Sequence, residues 1–184
     1  MKPSVEAIID LYEFRGHLKY DGEAVTQIEH AWQCGRLAKE SGASACLQLA
    51  AWLHDVGHLL SKLEGTPTLD GHDDRHEIIG SKYLQSIFSD AVYMPIELHV
   101  DAKRFLVTTD PEYRHKLSLD SIRSLQLQGG VMTESECQTF VAKPYSHDAV
   151  LLRRWDDLSK KSDWKLPELD EVLHDFEDLA RACV

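Results

Sequence analysis

Apolar residues recur at helical spacing from one end of the chain to the other and almost nowhere alternate with a period of two. Val5, Ile8, Ile9 and Tyr12 form one apolar face ahead of Gly16, with Pro3 placed for a first helical turn. After a loop over residues 17–25, Thr26-Gln27-Ile28-Glu29 reads as a capping box, opening a helix that Ser41-Gly42 ends. Ser44 caps the next helix, which carries Leu47, Ala50, Ala51 and Leu53 into His54-Asp55. The polar stretch 61–73, with two glycines and one proline, predicts a long loop.

Beyond it, Asp73 or Asp74 caps a helix whose Ile78, Ile79, Leu84 and Ile87 face the core, and Asp74 with Glu77 resembles another capping box. Pro95 is placed to start a helix through Phe105, with His99 and Lys103 one turn apart. Asp110-Pro111 opens a short segment, and the helical stretch from Ser118 to Gln128 is stopped by Gly129-Gly130. Thr133 with Glu136 gives a further cap signal, Ser146 caps a helix through Asp156, and Pro167 begins a last amphipathic helix reaching about residue 182. No repeat, low-complexity linker or break in composition interrupts this pattern. It predicts a single all-α domain over residues 1–184, a helical bundle.

A chain of 184 residues can bury a substantial core. Its formal net charge of −11 argues against a nucleic-acid backbone or an anionic membrane surface as partner, while leaving room for a small anion held by a few local cations. No apolar run approaches a membrane span, and Met1-Lys2-Pro3 leads into Glu6, Asp10 and Glu13 rather than a signal peptide. Cys34, Cys46, Cys137 and Cys183 are scattered without a CxxC pair, which predicts reduced thiols and a cytoplasmic protein.

The candidate chemistry centres on His54-Asp55, with His58 four residues after the first histidine. In a continuous helix His54 and His58 share a face and Asp55 points about 100° away. A carboxylate can bridge two metal ions, which an imidazole cannot. Further candidate ligands lie on other predicted helices: His30, His76, His99 and Asp156, the last not separable from its neighbour Asp157. Four imidazoles and two carboxylates without a thiolate suit iron, manganese or zinc, and argue against an iron–sulfur cluster or a structural zinc site. Six ligands exceed the needs of one ion with open positions and suit two ions sharing Asp55. His17, His72, His115, His147 and His174 read as surface or hydrogen-bonded residues.

The pieces Tyr20-Asp21-Gly22-Glu23-Ala24 with Gln27-Ile28-Glu29-His30, Leu53-His54-Asp55-Val56-Gly57-His58, His76-Glu77, His99-Val100-Asp101-Ala102-Lys103-Arg104, Gln128-Gly129-Gly130 and Arg153-Arg154-Trp155-Asp156 together carry a resemblance. Over about residues 18–160 the chain resembles the HD-domain phosphonate oxygenases, helical metalloproteins that cleave carbon–phosphorus bonds at a mixed-valence di-iron centre. The resemblance implies that His30, His54, Asp55 and Asp156 hold one iron and His76 and His99 the other, with Asp55 bridging. It implies that Tyr20 closes an open metal position and leaves when substrate arrives, and that Glu23 pairs with a substrate ammonium group. His58, Lys103 and Ser121, with Gln128, would surround the phosphonate.

The implied cofactors are two iron ions, Fe(II)/Fe(III), with O2 as co-substrate. The implied reaction cleaves a 1-hydroxy-2-aminoethylphosphonate or its trimethylammonio analogue to phosphate and glycine or glycine betaine, after an upstream 2-oxoglutarate-dependent hydroxylase has supplied the hydroxyl. The spacing of Asp70, Asp73 and Asp74 in the stretch 61–75 departs from the primary-amine enzymes and favours the N-methylated substrate, for which Trp52, Tyr83 and Tyr93 are candidate aromatic partners. Lys103, one turn after His99, and a protonated His58 have the charge that a phosphonate dianion needs. The same His-Asp pair is compatible with two other readings: a metal-dependent phosphohydrolase acting on a nucleotide or phosphomonoester, and a non-catalytic domain that binds a phosphorylated signal.

Overall fold

Local capping chemistry explains five of the ten α-helix starts in the computed structural model, which describes residues 3–20, 23–61 and 67–184. Ser4 caps α1 (Val5–Arg15) by accepting from the Ala7 N–H, so Pro3 precedes the helix instead of opening it. The Thr26–Glu29 capping box opens α2 (Gln27–Glu40), and Ser44 caps α3 (Ala45–Leu53). A five-residue α4 (Val56–Leu60) follows, then a 3-10 turn (Pro67–Asp70) and α5 (His76–Leu84). The longest element is α6 (Asp90–Thr109), followed by a second 3-10 turn (Arg114–Lys116). The chain finishes with α7 (Leu119–Leu127), α8 (Glu134–Val141), α9 (Ser146–Leu158) and α10 (Leu169–Arg181). Among the described residues there is no strand, only an isolated bridge between Lys19 and Thr26. The fold is an all-α bundle, and no described helix is long and apolar enough to cross a membrane.

Helix α6 is the spine, packing against α3, α5, α8 and α9, while α2 closes over α3 and α9. The main core gathers Ile8, Leu49, Leu53, Ile96, Leu152 and Phe176, all fully buried. Trp52 packs between Tyr12 and Phe176, with ring centroids 6.2 and 5.4 Å away, so it belongs to this core and not to a ligand pocket. All four cysteines are free thiols.

Several starts differ from the sequence expectation. Pro95 lies inside α6, which begins five residues earlier after Ser89, because fully buried Val92 and Ile96 hold the turns on either side of the proline. Asp74 and Glu77 form no capping box: Arg75, at φ 53°, is the N-cap of α5, and Asp74 is drawn toward histidine side chains. Tyr145, at φ 62°, precedes α9, while Ser146 donates to the Val141 carbonyl instead of capping. The last helix begins two residues beyond Pro167. Ile79 is 36% exposed rather than a core residue, because α5 turns its apolar face elsewhere. Asp21, Gly22 and residues 62–66, part of the sequence motifs and of the long loop, lie outside the described residues.

Candidate metal centre

The His-Asp pair does not lie inside a helix. α3 ends at Leu53, His54 is its C-cap, and Asp55 (φ −104°, ψ 10°) stands before α4, so the chain turns a corner there. The turn removes the 100° divergence expected of adjacent helical residues: His54 Nε2 and Asp55 Oδ2 are 3.3 Å apart. Gly57 makes the corner possible. A Cβ there would stand 2.0 Å from the backbone oxygen of His76, so only glycine lets α4 approach the start of α5 this closely.

Each histidine around the corner is held by its Nδ1. His30 meets the Ser159 carbonyl at 2.8 Å, His54 the Ala51 carbonyl at 2.8 Å, and His99 the Ile96 carbonyl at 2.7 Å. His76 Nδ1 lies 2.9 Å from Asp74 Oδ1. Carbonyls and carboxylates only accept, so each Nδ1 carries a proton, and in the neutral ring each Nε2 presents a lone pair inward. Those inward nitrogens meet in pairs, His30 with His54 at 3.2 Å and His76 with His99 at 3.1 Å. Facing lone pairs at that distance repel unless a proton or a cation lies between them.

Asp55 serves both pairs. Its Oδ2 is 3.4 Å from His30 Nε2 and 3.3 Å from His54 Nε2, whereas Oδ1 is 3.3 Å from His76 Nε2 and 3.8 Å from His99 Nε2. Asp156 joins the first pair, with Oδ1 3.3 Å from His30 and 3.7 Å from His54. Asp55 Oδ2 and Asp156 Oδ1 are buried and accept no hydrogen bond among the described residues. Ligand atoms therefore cluster in two buried groups, His30–His54–Asp156 and Asp55–His76–His99, each within 4.8 Å, a geometry able to hold metal, and a third and less buried group, His58–Asp74–His76, adjoins the second. The adjacent carboxylates divide: Asp157 is hydrogen-bonded to Tyr113 and Arg153 and turned away from the histidines.

The electrostatics show what the cluster lacks. Burial alone would lower the proton affinity of His54, but the charge of Asp55 overrides it and holds the imidazole well above its ordinary value. Burial would raise Asp55 and Asp156, yet His54 and His30 carry the first, and Arg153 and Lys160 the second, well below the carboxylate range. Two buried carboxylates thus demand positive charge. Without metal a proton on His54 meets part of that demand, and an entering cation would displace it.

The remaining sequence candidates surround the cluster. The Tyr20 ring stacks on His30 at 4.1 Å, and burial together with Asp55 and Asp156 raises its hydroxyl far above the usual phenol value. His58 stacks on His76 at 4.1 Å, with Nδ1 2.7 Å from Asp74 Oδ2 and Nε2 3.9 Å from Asp55 Oδ1, so it stands beside His76 and near Asp55. Lys103 is buried and donates to Ser124 at 2.7 Å; burial, then Arg153, brings its ammonium down to about 7. Lys103, Ser121 and Gln128 line one cavity with Tyr20, Asp55 and Asp156. Glu23 stands outside that wall, with Oε1 3.4 Å from Lys160 Nζ. Trp52, Tyr83 and Tyr93 do not line it, and exposed His72, expected to be an ordinary surface residue, does.

No family model matches the chain. It is 43% identical over 176 residues to the hydroxymethylphosphonate dioxygenase of Gimesia maris, an alignment spanning 91% of this chain and 83% of that one. The chain belongs to the phosphonate dioxygenase family. A second member, the glycine-betaine-forming 1-hydroxy-2-(trimethylamino)ethylphosphonate dioxygenase of Leisingera caerulea, is 36% identical over 165 residues, 89% of this chain and 84% of that protein. An uncharacterized protein of Acanthamoeba polyphaga mimivirus is 37% identical over 169 residues, 91% of this chain and 77% of its own.

Within this dioxygenase-family chain, four contributors to the site escaped the sequence reading: Asp74, Arg153, Ser159 and Lys160. Arg153 sits one turn before Asp156, a spacing that was visible; its Nη1 lies 2.7 Å from Asp156 Oδ2 and leaves Oδ1 to the histidines. Ser159 and Lys160 lie just past the end of α9, where no periodicity indicates a direction.

Proposed function

We propose that the chain is a di-iron oxygenase that uses O2 to cleave the carbon–phosphorus bond of a 1-hydroxyphosphonate. One observation carries this reading: two pairs of inward Nε2 lone pairs, 3.2 and 3.1 Å apart, are spanned by the two oxygens of one carboxylate. His30, His54 and Asp156 would hold one ion and His76 and His99 the other, with Asp55 between them. The donor set fits iron, with imidazoles anchored through Nδ1, unpaired buried carboxylate oxygens and no thiolate. When bound, the metals would supply O2 activation and an electron sink for oxidation of the carbon that bears phosphorus. Both phosphonate dioxygenase relatives support that chemistry.

The protein's own part is positioning. Lys103 reaches the cavity buried, with burial lowering its proton affinity, so an arriving dianion favours its charged form and gains a charge-assisted hydrogen bond. Ser121 and Gln128 sit on the same wall, and the buried Gln128 Oε1 has no hydrogen-bond partner among the described residues, leaving it open to a substrate hydroxyl. Asp74 orients His58 and His76 together, placing His58 as a positioning residue beside the second metal group. Tyr20, lying across His30, is placed to exclude water until substrate displaces it. The hydroxyl would be installed by a preceding hydroxylase.

Anaerobic loading with Fe(II), then admission of O2 with a 1-hydroxyphosphonate, tests the reading: O2 uptake and phosphate release should rise together. Steady hydrolysis of phosphomonoesters without O2 consumption would instead establish the phosphohydrolase.

A further inference from the structure

Lys160 occupies the place where a substrate ammonium group is expected. Its Nζ lies 3.4 Å from Glu23 Oε1 and 5.5 Å from the centroid of the Tyr20 ring. A carboxylate beside an aromatic face is the combination that holds an alkylammonium ion, and here the chain's own ammonium takes both. The two side chains are only 13% and 15% exposed, and Lys160 lines the cavity while Glu23 stands behind it.

The placement is fixed by the backbone on either side. The Ser159 carbonyl holds His30 Nδ1 at 2.8 Å. At Lys161, Gln33 clamps both main-chain groups, its Nε2 donating to the carbonyl and its Oε1 accepting from the N–H, each at 2.9 Å. Residues 159 and 161 are thereby tied to α2, the helix that also presents His30, and Lys160 between them is aimed at the site.

We propose that Lys160 is a built-in cation that fills the ammonium subsite at Glu23, so that the preferred substrate is a 1-hydroxyphosphonate with no cationic group, hydroxymethylphosphonate or a neutral homologue. The inference rests on the C–P-cleaving reading above. The Glu23–Lys160 pair has no net charge, so an incoming ammonium gains little Coulomb attraction. Displacing Lys160 would mean competing with a tethered group whose effective concentration far exceeds that of a free ligand. Because Lys160 faces the cavity and Glu23 stands behind it, the nearer charge of this neutral pair suits a dianion and repels a zwitterion's cationic end.

The iron-loaded protein should be compared on hydroxymethylphosphonate and 1-hydroxy-2-(trimethylamino)ethylphosphonate, by steady-state phosphate release and by anaerobic binding titration. The native chain should favour the first compound at least tenfold in kcat/KM. Lys160→Met uncovers Glu23 and the Tyr20 face and should move that ratio at least tenfold toward the trimethylammonio compound, mainly through KM and Kd. Adding Glu23→Gln should reverse the gain. A native preference for the cationic compound, or a Lys160→Met loss equal for both, would overturn the assignment while leaving C–P cleavage intact. If neither phosphonate releases phosphate, the C–P reading fails and takes this assignment with it.

Discussion

His58 donates its Nδ1 proton to Asp74 Oδ2 across 2.7 Å. The other oxygen of the same carboxylate holds His76 at 2.9 Å, and the two rings stack at 4.1 Å, so one side chain sets the tautomer and tilt of both imidazoles. Asp74→Ala should therefore disturb the second metal group while sparing His30, His54 and Asp156. Outer carboxylates of this kind are worth about 10- to 100-fold in metal affinity or activity. Metal analysis should show roughly half the native content retained, with turnover reduced by a factor in that range.

Lys103 gives a pH dependence whose sign is fixed by its burial. Its ammonium, ordinarily near 10.5, titrates at about 7 in the folded, ligand-free chain. Below about 7 folding must bury the charge, and the destabilisation is present in full. Between the two values the unfolded chain holds a proton that the folded chain sheds, so stability climbs with pH. Denaturant unfolding of metal-free protein between pH 7 and 10 should show that rise, a few kcal/mol at about 1.4 kcal/mol per unit of displacement, and Lys103→Met should flatten it. In the loaded enzyme Lys103→Ala should weaken phosphate and phosphonate alike.

Gly57→Ala tests the corner. The added methyl carbon would stand 2.0 Å from the His76 carbonyl oxygen, a backbone atom with little freedom to move. Steric insertions into packed interiors cost about 1–3 kcal/mol or more, and here relief requires moving the start of α5, which carries His76. A lowered Tm with loss of the metal held by His76 and His99 is expected; full metal content at unchanged affinity would contradict the proposed arrangement.

Arg153→Met should be among the most damaging single changes. The guanidinium pairs with Asp156 and Asp157 and bonds Tyr113 at 3.1 Å, and it is buried together with Asp156 while Asp157 is half-buried. Removing one member of such a group leaves uncompensated charge and costs about 3–5 kcal/mol. Calorimetry on metal-free and metal-loaded protein should show the deficit shrinking on loading, since metal neutralises Asp156.

What the sequence made legible was local or periodic. The boxes at Thr26–Glu29 and Thr133–Glu136 formed as read because every partner lies within four residues. The same pattern failed at Asp74 because Arg75 takes the N-cap position and the carboxylate, besides accepting from the His76 N–H at 3.3 Å, is shared between two imidazoles from different helices. His30, His76 and His99 could be chosen as candidates from their helical settings, but Asp156 and Asp157 could not be told apart. Arg153, which pairs with both and sends them opposite ways, decides between them. Lys160 was invisible for a different reason: its direction depends on Gln33, 128 residues from Lys161, and no local pattern records that clamp.

The corner at His54–Asp55 also divides the proposed centre by rigidity. His30, His54 and Asp156 are at most 1% exposed and come from α2, α3 and α9 in the packed interior. His76 instead opens α5, directly after the left-handed Arg75 and the irregular residues 71–74, and is 8% exposed. Local opening of such a helix start is less costly than opening of the core. The two ions should thus leave on different clocks: a chelator should withdraw the one beside His76 in a fast phase and the one beside His30 only as slowly as the whole bundle breathes.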